Sequence, residues 1–195
     1  MLSPAELRAR YDRIRSEVGE GVTVVAATKY VSVGEMAALV EAGIEVVGEN
    51  RAQDLEAKHA VYGSAFRWHF IGRLQSNKVK LVNARCELVH SLDSHSAAER
   101  LTIPALVQVN LAGEGSKGGI DPATLGEYLR YDVRGLSAMP PAAEDPEASR
   151  PWFRRLRELA VQHGLQQLSM GTTQDYRVAA EEGATLVRVG SILFR

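Results

Sequence analysis

The sequence predicts an α/β protein: one domain, residues 1–195, folded as a (β/α)8 TIM-type barrel of parallel strands with an extra N-terminal helix. Three observations predict it. Eight short runs rich in Val, Ile and Leu recur along the chain. Each but the last is followed by a segment with helical spacing, and such alternation specifies parallel strands with helices outside. The 195 residues, 45% hydrophobic and 24% charged, are an ordinary globular domain's worth of chain.

The elements follow in order. Ser3-Pro4-Ala5-Glu6 is a capping box with proline in the first turn, and Leu7, Tyr11, Ile14 and Val18 repeat at helical spacing before Gly19. The run Val22–Thr28 is apolar on both faces, as a strand buried in a parallel sheet should be. A second box, Ser32-Val-Gly-Glu35, opens a helix that turns Met36, Leu39 and Val40 inward and stops at Gly43. Strand Ile44–Val47 precedes a helix from Asn50 to His59, and strand Arg67–Ile71 precedes a helix over Asn77–Val82. Strand Glu87–His90 leads to a short helix at Ser94–Leu101, and strand Ala105–Asn110 leads to one at Pro122–Leu129. After strand Val133–Ser137 comes a Pro/Ala/Glu loop. A helix over Ala148–His163 then carries the stripe Trp152, Phe153, Leu156, Leu159 and Ala160. Strand Gln166–Ser169, a helix over Thr173–Glu182 and strand Thr185–Val189 complete the barrel. The N-terminal helix is expected to stand in for the helix missing after the eighth strand.

Charge and composition narrow the function. With 23 basic and 24 acidic residues the net charge is −1, so no basic field favours nucleic acid or an anionic membrane. Cys86 is the sole cysteine, which fits a reducing compartment and a packing role. No apolar run approaches the ~18 residues of a membrane span, and the N-terminus has no signal core. The expectation is a cytoplasmic, monomeric protein that handles a small molecule.

Barrels of this type carry their sites at the carboxyl ends of the strands. The first strand ends at Thr28-Lys29. A lysine beside apolar walls loses water, which frees its amine for Schiff-base formation with a carbonyl; the alternative is a solvated strand-end lysine. Gly171-Thr172-Thr173 and Gly190-Ser191 follow strands seven and eight, where such barrels bind phosphate. Thr172 or Thr173 would also serve as a helix cap. A lysine trap plus a phosphate cup is what pyridoxal 5′-phosphate (PLP) requires. Arg188, two residues before Gly190, could donate to the cofactor's pyridine nitrogen or pair with an outside acid. His69 could line the mouth or pack in the core, and His90 and His95 are expected to be structural or superficial. The run Gly113–Gly118 matches G-x-G-x-x-G, but no helix starts inside it, so a dinucleotide site is not expected. The five histidines show no compact metal-ligand spacing. Arg150, Arg154, Arg155 and Arg157 are expected to form a solvated helix face.

A family resemblance rests on segments that occur in this order: Ala27-Thr28-Lys29, Gly48-Glu49-Asn50, Trp68-His69-Phe70-Ile71-Gly72-x-Leu74-Gln75-Ser76-Asn77-Lys78, Gln108-Val109-Asn110, Lys117-Gly118-Gly119-Ile120, Arg134-Gly135-Leu136, Leu168-Ser169-Met170-Gly171 and Val187-Arg188-Val189-Gly190. The chain resembles the pyridoxal phosphate homeostasis proteins, relatives of the N-terminal barrel of alanine racemase. The resemblance implies PLP bound as a Schiff base on Lys29, with Asn50 and His69 near it and Arg188 facing the pyridine nitrogen. It implies that Thr173, Gly190 and Ser191 hold the phosphate. PLP-dependent apoenzymes are the acceptors expected as partners. The family usually has Gly-Met-Ser-x-Asp where this chain has Gly171-Thr172-Thr173-Gln174-Asp175, and a final glycine where it has Arg195. Racemisation wants acid/base groups on both faces of the cofactor, and with Arg195 directly after the barrel no second domain is expected to supply them. The expectation is therefore a PLP carrier or regulator without robust turnover. A PLP-dependent amino-acid racemase and a PLP-free Schiff-base aldolase are the alternatives.

Overall fold

A computed structural model describes residues 2–113 and 118–195. Most of the glycine-rich run between Gly113 and Gly118, and Lys117 of the family resemblance, therefore lie outside the described residues.

Eight parallel strands close into a barrel in sequence order: β1 (Thr23–Ala27), β2 (Val46–Glu49), β3 (Arg67–Phe70), β4 (Leu88–Leu92), β5 (Ala105–Gln108), β6 (Val133–Ser137), β7 (Gln167–Thr172) and β8 (Leu186–Val189). β8 pairs with β1 from Thr23↔Leu186 to Ala26↔Val189, which shuts the seam. The helices are α1 (Pro4–Val18), α2 (Met36–Glu41), α3 (Ala52–Tyr62), α4 (Val79–Asn83), α5 (His95–Ala98), α6 (Arg150–Gln162), α7 (Tyr176–Glu181) and α8 (Ser191–Phe194).

Local chemistry explains most of these boundaries. In α1 the capping box forms as written: Glu6 N–H donates to Ser3 Oγ, and Ser3 N–H donates back to the Glu6 carboxylate at 2.8 Å. Ser32 and Glu35 make the same reciprocal bonds, but α2 starts only at Met36. Gly34 lies in what would be the first turn, and glycine holds a helical turn poorly. After β5 the chain forms a 3-10 helix, Pro122–Tyr128, in place of the α-helix expected there.

Three further expectations are corrected. β8 does have a following helix, the four-residue α8. α1 packs against α2, α7 and α8, and Arg10 on α1 donates to the carbonyls of Ile192 and Arg195, so α1 and α8 share that place. The arginines of α6 are not simply a solvated face. Arg150, Arg154 and Arg157 converge on the buried carboxylate of Glu182, each at 3.2 Å. β7 runs on to Thr172, and α7 starts three residues later than expected, at Tyr176.

The main core lies between sheet and helices, with Leu7, Ile14, Leu39, Leu55, Phe153 and Leu156 fully buried. A separate cluster, Val25, Val46, Leu88, Leu106 and Leu186, fills the inside of the barrel toward the amino ends of its strands. Above that layer the interior is polar: His90, Ser137, Ser169 and Arg188 are buried there, and His69 is buried in register with Leu88. Barrels of this kind usually stack branched aliphatic residues there. Among the described residues no helix is long and apolar enough to cross a membrane.

Candidate functional site

The carboxyl ends of the strands surround a cavity of about 570 Å³. Its walls include Lys29 from β1, Asn50 from β2, Thr172 and Thr173 from β7, and Arg188, Gly190 and Ser191 from β8. Seven of the eight site residues expected from sequence thus meet at one mouth.

Lys29 is exposed, and its ammonium lies 4.8 Å from the centre of the Tyr30 ring. The backbone behind it is held hard. Thr28 is fully buried, and its N–H donates to the Gly48 carbonyl at 3.0 Å. Its hydroxyl donates to Glu49, and its carbonyl accepts from Lys58 Nζ at 2.8 Å. Lys58 and Glu49 form a buried ion pair, so β1, β2 and α3 are tied together directly under Lys29. Next to it, a side chain on Gly72 would sit 1.9 Å from the Asn50 carbonyl. Only glycine lets the ends of β2 and β3 approach this closely and present Asn50 to the cavity. Asn50 Oδ1 is buried and has no hydrogen-bond partner among the described residues.

On the opposite wall, Thr173 Oγ1 accepts from the Gly190 N–H at 3.2 Å, joining the loops after β7 and β8. Thr172 bonds to Asp175 through both its N–H, at 2.7 Å, and its hydroxyl, at 3.1 Å. Neither threonine caps α7, whose first flanking residue is Asp175. Gly171 has φ +86°, and a Cβ there would meet Ala179 Cβ at 2.5 Å. Glycine is therefore needed for the turn and for the packing of α7 beneath it.

Arg188 forms the floor. Its Nη1 donates to Ser169 O at 3.1 Å and to Ser169 Oγ at 2.6 Å, and its Nη2 donates to Ala138 O at 3.1 Å. None of these bonds uses Nε, and the side chain lines the cavity. Burial lowers its pKa to about 10, so it stays a cation at neutral pH.

His69 is the correction at this site. It is buried inside the barrel and borders a different cavity, of about 530 Å³, at the amino ends of the strands beside Arg67, Glu87 and Arg134. One ring nitrogen lies 3.0 Å from Glu87 and the other 2.9 Å from His90. Strand alternation places its side chain inside the barrel but does not say at which layer. His90 is buried as well, and burial together with the neighbouring His69 and Arg188 pushes its pKa well below the usual imidazole value. His95 lies outside, stacked on Tyr128 at 4.3 Å and 3.1 Å from Glu127. Burial pushes the Cys86 thiol up to about 12, which keeps it protonated. Sequence reasoning missed Tyr30, Ile71, Met139 and Phe194 in the cavity wall. It also missed the roles of Glu49 and Lys58. Glu49 carries a signal, as a carboxylate inside an apolar strand; Met139 carries none.

No family model matches the chain. The pyridoxal phosphate homeostasis protein of Aquifex aeolicus is 42% identical over 175 residues, which cover 78% of this chain and 77% of that protein. Among solved structures, PipY of Synechococcus elongatus with PLP bound matches with a TM-score of 0.87 at 31% identity, over 97% of this chain and all of that one. Alanine racemase of Corynebacterium glutamicum matches with a TM-score of 0.74 at 12% identity, over 99% of this chain and 61% of that one, a likeness of fold alone. The architecture is a closed eight-stranded parallel barrel with the fold seen in the matching part of alanine racemase. Within that class, the chain belongs to the pyridoxal phosphate homeostasis protein family.

Proposed function

We propose that this protein holds PLP in the mouth cavity as a Schiff base on Lys29 and takes part in intracellular PLP homeostasis without robust catalysis. When bound, PLP supplies an aldehyde that condenses with the lysine amine and releases water. The observation that carries the reading is the meeting of an amine, a guanidinium and a hydroxyl-and-glycine wall around one cavity of suitable size. Lys29 is the amine. Arg188 would donate to the ring nitrogen. Thr173, Gly190 and Ser191, with Thr172 beside them, would receive the phosphate through hydroxyls and close backbone approach. The orphan Oδ1 of Asn50 is an acceptor that a bound group can satisfy.

Robust turnover is not expected of so exposed a site. Lys29 and Tyr30 are both open to solvent, so water and other amines reach the reacting nitrogen. Efficient chemistry on such a group excludes water, whereas a carrier needs access. PLP-dependent apoenzymes in the cytoplasm would be the acceptors, and one chain presents the whole cradle, as a monomer would. The test is to titrate apo protein with PLP, reduce with borohydride and map the adduct. A single adduct on Lys29, lost in Lys29→Ala, is expected. No adduct there, or full binding by the variant, would overturn the assignment. Sustained racemisation of single amino acids by the holoprotein would overturn the non-catalytic part.

A further inference from the structure

We propose that Glu87, His69, His90 and Ser169 form a positioning relay along the inside of the barrel, which sets the Arg188 guanidinium at the mouth from the opposite, solvent-open end. This deepens the cofactor reading above, because it concerns the residue that would face the ring nitrogen.

The contacts form one unbranched line. Glu87 lies beside the amino-end cavity, 42% exposed, where Arg67 also pairs with it at 2.8 Å. His69 Nε2 is 3.0 Å from Glu87, His69 Nδ1 is 2.9 Å from His90 Nε2, and His90 Nδ1 is 2.7 Å from Ser169 Oγ. Ser169 Oγ then accepts from Arg188 Nη1 at 2.6 Å. His90 on β4 and Ser169 on β7 belong to strands that are not neighbours, so their bond crosses the barrel interior. Ser137 braces the crossing by donating to the His90 carbonyl.

The chemistry of the two ends sets the direction of every bond. A carboxylate only accepts, so His69 donates from Nε2 and, with one proton per ring, accepts at Nδ1. His90 must then donate from Nε2 and accept at Nδ1, and that proton comes from the Ser169 hydroxyl. A guanidinium only donates, and the Ser169 oxygen is left free to receive it. Both ends therefore impose the same sense: donors point from Arg188 to Glu87 throughout. Among the described residues Arg188 has no carboxylate as a hydrogen-bond partner. The relay orients its fork through aligned dipoles that end on the Glu87 charge, and aligned bonds in a low-dielectric interior strengthen one another.

The experiment reads the imidazole and guanidinium 15N resonances of the unliganded protein at neutral pH. Both histidines are expected as neutral Nε2–H tautomers. An Nδ1–H tautomer or a doubly protonated ring at either position overturns the proposal. Ser169→Ala cuts the line below Arg188. It is expected to move the Arg188 Nη and His90 resonances together and to weaken PLP capture about tenfold, the scale of one hydrogen bond to a charged group. An unmoved Arg188 overturns the proposal. Glu87→Lys puts a donor at the far end and is expected to invert both tautomers, while a change at His69 that stops short of His90 overturns the coupling. Should either variant fail to fold, the wild-type tautomers still decide. The spectra need no cofactor, so an absent adduct at Lys29 would sink the cofactor reading and leave this result standing.

Discussion

Two side chains, His90 inside the barrel and Glu87 at its amino-end rim, make stability depend on pH in the same sense. His90 is held neutral in the fold by burial, with its pKa well below the ordinary 6.5 of an imidazole. Below about pH 6.5 the unfolded chain therefore binds a proton that the folded one refuses, and stability falls as pH drops. Glu87 adds a second step. The His69 hydrogen bond, with help from Arg67, lowers its pKa from 4.5 to about 2. The unfolded chain takes up that proton between those values, so Glu87's contribution is present above 4.5 and is lost toward 2. Urea titrations at a series of pH values should show stability declining from about pH 6.5 and more steeply below 4.5. His90→Gln should flatten the upper limb and leave the lower one. A similar single-residue argument applies to Gly171. With φ +86° and Ala179 in the way, Gly171→Ala should cost about 1–3 kcal/mol in a denaturation experiment.

At the scale of elements, the Lys58–Glu49 pair clamps α3 and β2 to the end of β1. Breaking a buried pair leaves an uncompensated charge, whereas replacing both members with apolar residues is often neutral. Lys58→Met should lose about 3–5 kcal/mol, and adding Glu49→Leu should restore most of it. If the clamp positions Lys29, the double variant will be stable yet slower to form the borohydride-trapped adduct. Elements were also where the sequence could be read most directly. β-rich runs alternating with amphipathic stretches placed all eight strands, because burial on both faces leaves a continuous apolar run. The capping box of α1 located its first residue. Boundaries drifted where local signals were weak. α5 is only His95–Ala98, and α8 is four residues packed under α1, too short to show a period.

For the whole molecule, the mouth is the feature that decides behaviour. Lys29 is exposed there, and the backbone behind it is tied down by Lys58. A cofactor on this lysine should be open to attack by outside amines. Hydroxylamine added to the holoprotein in native buffer is expected to abolish the visible absorbance without denaturant, as followed by spectrophotometry. The candidate site was legible at Lys29, Thr172, Thr173, Arg188, Gly190 and Ser191 because strand ends and the loops after β7 and β8 are fixed by topology. Asn50 came from family resemblance alone. His69, which could line the mouth or pack in the core, borders the amino-end cavity, since the period of two assigns a face and says nothing of depth.

The sequence by itself determined the parallel barrel, its lysine and the hydroxyl-and-glycine loops, because hydrophobic period, capping and turn chemistry act over a few neighbouring residues. Only the tertiary structure decided which polar groups meet inside. The bond from His90 to Ser169 joins residues 79 apart on strands that never pair, and it exists because closure brings opposite walls within reach.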